Sequence, residues 1–135
     1  MNNEINLLLE KLIKLTKNKS LVWNTYSMSN VKLIMKKNSN TTFNIFNSST
    51  PMYEKSYITS YKNGLIALIV YEQITMGSYI ELLLQPDASN NAECLISSND
   101  GTIEEQALIK RLYNLVDNTA SNPALKNFIN DIIND

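Results

Sequence analysis

The sequence predicts an α+β fold: an N-terminal helix, an antiparallel β-meander of about five strands, and two C-terminal helices packed mainly on one sheet face. Three observations predict it. Apolar residues recur at helical spacing only near the two ends of the chain. Between them, residues 57–73 (YITSYKNGLIALIVYEQ) read as a β-hairpin, with Asn63-Gly64 between two runs rich in β-branched and aromatic residues. The links between strand-like runs are short, and helices and strands are segregated, which favours α+β over a parallel α/β sheet.

Each element has its own warrant. Asn3 caps a helix from about Glu4 to Thr16, with Ile5, Leu8, Leu9, Leu12 and Leu15 on one stripe. Lys17-Asn18-Lys19-Ser20 ends it, and Trp23, the sole tryptophan, is expected to pack beneath it rather than hold a ligand. Val31–Lys36 (VKLIMK) reads as a strand, Asn38–Thr42 as a turn, and Phe43–Asn47 as an alternating strand. The hairpin follows, its first strand beginning near Tyr53. Its returning strand, Leu65–Tyr71, is apolar on both faces, with Leu65, Ala67 and Ile69 on one and Ile66, Leu68 and Val70 on the other. Such a strand is central and covered above and below. A turn at Met76-Gly77 leads to Ser78–Gln85, with Ile80, Leu82 and Leu84 inward. Glu93–Ser97 is the last strand, with Cys94 and Ile96 on one face and Leu95 on the other. Thr102 and Glu105 form a capping box that starts a helix ending near Asn118. Ser121 or Asn122 caps a final helix, with Pro123 at its first position and Leu125, Phe128, Ile129 and Ile132 as its apolar face.

Composition bounds the class. A chain of 135 residues, 44% hydrophobic and 19% charged, fits one globular domain over 1–135 without disulfide or metal support. Net charge is −1, so no global field favours nucleic acid or membrane. The charge is unevenly placed: residues 1–50 hold seven lysines against two glutamates, +5, and the remainder is −6. This suits either ordinary solvated lysines or a head-to-tail contact. One cysteine, Cys94, fits a reducing compartment. The N-terminal stretch has no basic n-region or small-residue cleavage site, and no apolar run nears the roughly 18 residues of a membrane span, so a cytoplasmic location is expected.

The chain resembles a group of small bacterial and phage helix–β-meander–helix proteins associated with mobile elements and defence islands. The residues that carry the resemblance are LLLEKLIKLTKNKSLVW (Leu7 to Trp23), the Tyr-rich strand and turn YITSYKNG, and the helix LIKRLYNLV. It implies the fold and an accessory role, and names no chemistry.

Catalytic constellations are missing from the sequence. There is no histidine, which removes Ser-His-Asp and Cys-His catalysis and histidine metal sites. One cysteine cannot build a zinc site, and three glycines cannot build a phosphate-cradling loop. Glu104 and Glu105 belong to a helix start, where negative charge suits the dipole. One arginine leaves few bidentate contacts for nucleic acid. The expectation is therefore no enzyme, no cofactor, no metal and no nucleic-acid partner.

The candidate surface is tyrosine-rich. In an unbroken strand Tyr53, Tyr57 and Tyr61 share one face with Lys55 and Thr59, and Tyr71 and Tyr79 on later strands join them. Tyrosine supplies area and a hydroxyl at low entropy cost. The same pattern also describes a half-buried sheet face. The function expected is a non-catalytic interaction protein of the inhibitor or immunity type, binding a partner protein through its sheet face or edge. A small-ligand, nucleotide-like sequestering protein and an acidic secretion chaperone are the alternatives. A sheet with one bare apolar face would also pair with a second copy, so a homodimer with tyrosines at its rim is expected.

Overall fold

The computed structural model describes residues 4–35, 49–75, 77–120 and 123–135, and of 123–127 the backbone. The expected turn at 38–42 and strand at 43–47 lie outside the described residues. The fold is α+β, as predicted: helix α1 (Glu4–Lys17), strands β1 (Asn24–Thr25), β2 (Ser49–Pro51), β3 (Tyr57–Tyr61), β4 (Gly64–Gln73), β5 (Gly77–Gln85) and β6 (Glu93–Ser97), then helices α2 (Ile103–Ala120) and α3 (Pro123–Ile133). The sheet order is β1-β3-β4-β5-β6, all antiparallel, with β2 also on β4.

Helix α1 ends in a Schellman turn. Lys19 takes a left-handed φ of 66°, Ser20 N–H donates to the Leu15 carbonyl at 2.9 Å, and Lys19 N–H donates to the Thr16 carbonyl at 3.2 Å. The turn sends Leu21 and Trp23 under the helix, where Trp23 is 5% exposed. Its indole N–H donates to the Thr16 hydroxyl at 3.0 Å, and that hydroxyl donates to the Leu12 carbonyl at 2.7 Å. At α2 the capping box is closed on both sides: Thr102 N–H donates to Glu105 Oε1 at 2.8 Å, and Glu105 N–H donates to Thr102 Oγ1 at 3.0 Å.

The two faces of β4 are buried differently. Ile66 and Leu68, with Leu82 and Ile96, meet Leu9, Leu12 and Ile13 of α1 and Leu108, Ile109, Leu112 and Val116 of α2. Ala67 and Ile69, with Ile58 and Leu83, meet Tyr26, Leu33 and Ala92. Residues 26–35 thus cross the second face; the region expected to be a strand at 31–36 forms none over its described part. It begins with a 3₁₀ turn, Tyr26–Met28, and continues irregularly. A strand there would need a ladder partner; two side chains and one isolated backbone amide supply the partners instead. Leu33 N–H donates to the Tyr26 hydroxyl at 3.1 Å, Ile34 N–H to Gln85 Oε1 at 2.7 Å, and Ala92 N–H to the Ile34 carbonyl at 2.7 Å. The second face is therefore not bare, and the premise of a dimer sealing an uncovered sheet does not hold.

The hairpin turn sits one residue earlier than predicted. Lys62 and Asn63 form the two-residue loop, Tyr61 pairs with Gly64, and Lys62 carries the left-handed φ of 54°. Gly64 serves a close approach instead. A Cβ there would lie 2.6 Å from the Gln85 carbonyl oxygen and 2.9 Å from that of Pro86. The glycine allows the end of β5 to pass close to the hairpin.

β2 and β3 lie along the same edge of β4, since β5 occupies its other edge. Between them the chain leaves the ladder in a 3₁₀ turn, Tyr53–Lys55. The buried Ser56 hydroxyl repairs the gap: it accepts from Val70 N–H at 2.9 Å and donates to the Met52 carbonyl at 2.8 Å, while Met52 N–H donates to the Val70 carbonyl at 2.7 Å. A bulge also breaks β5–β6, where Leu82 faces Ile96 and Leu83 faces Cys94. Cys94 and Ile96 consequently point to opposite faces, not to one as strict alternation predicts.

Ser56→Ala leaves the Val70 N–H buried and unpaired, and we expect a loss of about 1–3 kcal/mol in urea denaturation. Trp23→Ala, which empties a core site and removes the indole donor to Thr16, is expected to cost about 3–5 kcal/mol. A Ser56→Ala midpoint equal to the parent's contradicts the ladder repair.

Candidate functional site

The predicted tyrosines do not form one row. The 3₁₀ turn at Tyr53–Lys55 interrupts the strand and with it the even-spacing rule that placed Tyr53, Tyr57 and Tyr61 together. Tyr57 is core: it is 3% exposed, its hydroxyl donates to the Asp117 carboxylate of α2, and its ring lies 5.8 Å from Tyr113. Lys55 is exposed, 4.0 Å from Glu72, and its carbonyl accepts from the Tyr113 hydroxyl at 2.5 Å. Tyr61 lies at the hairpin tip with Lys62 above its ring.

Tyr53, Tyr71 and Tyr79 do come together, on the second face. β4 and β5 place Tyr71 opposite Tyr79, and the rings stack at 5.3 Å and 14°. The Tyr79 hydroxyl donates to Ser49 Oγ of β2 at 2.7 Å. Tyr53 stacks on Tyr26 at 4.9 Å, and the Lys32 ammonium sits 4.5 Å from the Tyr26 ring. Glu81, two residues along the same face from Tyr79, places its carboxylate near the Tyr71 hydroxyl. Gln73 presents a buried side-chain oxygen that has no hydrogen-bond partner among the described residues.

Burial, then the Glu81 carboxylate, raises the Tyr71 hydroxyl far above the usual tyrosine range. Tyr26 and Tyr79 are raised as well, each chiefly by burial. Cys94 is exposed as a residue, yet partial burial of its thiol, reinforced by Glu81, pushes it up to about 12. The thiol is thus a protonated neighbour of Glu81 and not a ready nucleophile.

A second feature lies at the hairpin end of the sheet: a cleft of about 720 Å³, with Leu8, Leu65, Ile66 and Leu84 among its apolar lining and Tyr61 and Asn63 among its polar lining. Sequence reasoning missed Tyr26, Gln73 and Glu81. Period-two alternation already puts Gln73 with Tyr71 and Glu81 with Tyr79, so those two were readable. Tyr26 has no periodic signal, because it reaches the sheet through an irregular segment.

Among the described residues no group of histidine, cysteine, aspartate or glutamate side chains is placed to hold a metal ion, and no helix is long and apolar enough to cross a membrane. Comparison with family models, curated proteins and solved structures finds no match to this chain.

The raised tyrosines fix an alkaline limit. A tyrosine with a raised folded-state pKa holds its proton more tightly when folded. Its contribution is complete below about pH 10 and is lost as pH climbs through the raised value. We expect the urea midpoint to fall from about pH 10 upward, and Tyr71→Phe to shallow that fall. A Tyr71→Phe profile parallel to the parent's contradicts the assignment.

Proposed function

We propose that the protein is a non-catalytic binding protein of the inhibitor or immunity type, which engages a partner protein through the tyrosine surface of the second sheet face. The observation that carries this reading is the grouping of exposed Tyr53 with the Tyr71–Tyr79 stack on the second sheet face. Rigid aromatic area that keeps hydroxyls at the surface is what a protein anchor uses, and hot spots favour tyrosine. The lone cysteine and the lack of histidine in the sequence support an intracellular, non-catalytic role, and the reducing cytoplasm is the compartment we propose. A small-ligand reading is favoured separately by the hairpin-end cleft, whose volume falls within the roughly 300–1,000 Å³ of ligand pockets.

A photo-crosslinking residue at position 53, compared with one at the exposed position 103, tests the proposal in host cells. We expect a discrete protein adduct at 53 only, and at least tenfold weaker binding of the purified partner to Tyr53→Ala/Tyr79→Ala. Equal adducts at both positions, or unchanged affinity of the double variant, overturn it. Binding of a nucleotide that Tyr61→Ala abolishes selects the cleft reading.

A further inference from the structure

Helix α3 is strongly amphipathic, yet the described part of its apolar side is open. Phe128 is 62% exposed and Ile132 is 60% exposed, and Ile129 and Ile133 beside them are exposed too. The residues recur as two i,i+4 pairs, the spacing with which a helix fills a groove. By contrast, the stripes of α1 and α2 are buried in the first core.

A matching groove lies elsewhere on the chain. It measures about 1,060 Å³ and runs between residues 16–31 and the C-terminal end of α2. Leu115 and Trp23 are among its lining, and so are three exposed apolar residues: Val22 (70%), Met28 (84%) and Val31. Neither surface suits water, since exposed apolar residues this closely grouped mark contact sites.

The charges match as well. Lys17 and Lys19, both exposed, line the groove. α3 carries Asp131 on its polar side, with Asp135 just beyond it, both exposed. This is the local form of the +5 to −6 division between the first 50 residues and the rest.

We propose that α3 of one copy seats in this groove of a second copy, and that the second copy returns the contact. Each copy contributes one helix and one groove, so the exchange closes under a two-fold axis and leaves no open surface for a third. The reciprocal contact occurs twice per dimer, so each helix and groove need supply only half of the roughly 1,200–2,000 Å² of a stable interface. Lys17 and Lys19 at the groove then lie on the side of the contact toward the C-terminal end of the other copy's α3, where Asp131 and Asp135 outnumber the single Lys126 of that helix. The groove and α3 share no residue with the tyrosine surface, so this proposal and the partner-binding one fail independently.

Complementation tests it. Light scattering after size exclusion is expected to give twice the 15.3 kDa chain mass for the parent at tens of micromolar. Phe128→Asp/Ile132→Asp breaks the helix side and Val22→Asp/Met28→Asp breaks the groove side. All four residues are exposed, so each variant should keep the parent's circular dichroism and run as a monomer. Mixed in equal amounts, the two variants are expected to form a dimer, because one intact helix still meets one intact groove. A Lys17→Glu/Lys19→Glu variant is expected to weaken the parent dimer at least tenfold, and adding Asp131→Lys/Asp135→Lys to restore it. A monomeric parent, as when α3 folds onto its own groove, overturns the proposal. So does a dimer insensitive to both double variants, or a mixture that stays monomeric.

Discussion

Everything in this fold answers to β4, a ten-residue strand buried on both of its faces. A strand apolar on one side needs one cover. A strand apolar on both needs two, and the described helices pack on only one of them. α1 and α2 seal the face of Ile66 and Leu68. The other face is sealed by the irregular segment 26–35, which brings a tyrosine ring and Leu33 to the sheet in place of a helix stripe. Such a cover is weaker in backbone terms, because it has no ladder or helix of its own to satisfy its N–H groups. The Tyr26 hydroxyl, Gln85 amide and Ala92 amide hold it instead, and these ties fix where the cover lies.

The same constraint shapes the binding surface. The cover packs around Ala67, Ile69 and Leu83, while Tyr71, Tyr79 and Glu81 stand toward the far end of β4 and the start of β5. There the short β2 replaces β3 as the neighbour of β4, and the 3₁₀ turn between them lifts Tyr53 into place against Tyr26. One local break in the ladder, repaired by Ser56, therefore gathers the tyrosines that the sequence spreads along the chain. It also removes Tyr57 and Lys55 from that group.

Much of the architecture was legible because it rests on periodicity. The stripe of α1, the two-sided apolar character of 65–71, the capping box at Thr102 that starts α2 and the limits of β6 all follow from local pattern. The errors share one cause. Val31–Lys36 has strand composition, but over the described residues 31–35 isolated tertiary hydrogen bonds take the place of a ladder. Tyr53 and Tyr57 have strand spacing, but a 3₁₀ turn intervenes. Cys94 and Ile96 alternate, but a bulge reverses the register. Asn63-Gly64 has the composition of a turn, but the close pass of Gln85 sets the glycine's place. In each case a tertiary contact overrides a local rule, and no local reading contains that contact. The α3 stripe is the opposite case: its helix and apolar face were read from the pattern, and over the described residues that face lacks a cover within the chain.

The central claim is that residues 26–35 form a specific second cover for β4, and amide hydrogen exchange tests it most directly. The account predicts slow exchange at Leu33, Ile34 and Ala92, orders of magnitude below the rate at exposed Asn30 and approaching the protection of β4. Exchange of those three amides at unstructured rates, with β4 still protected, would contradict it.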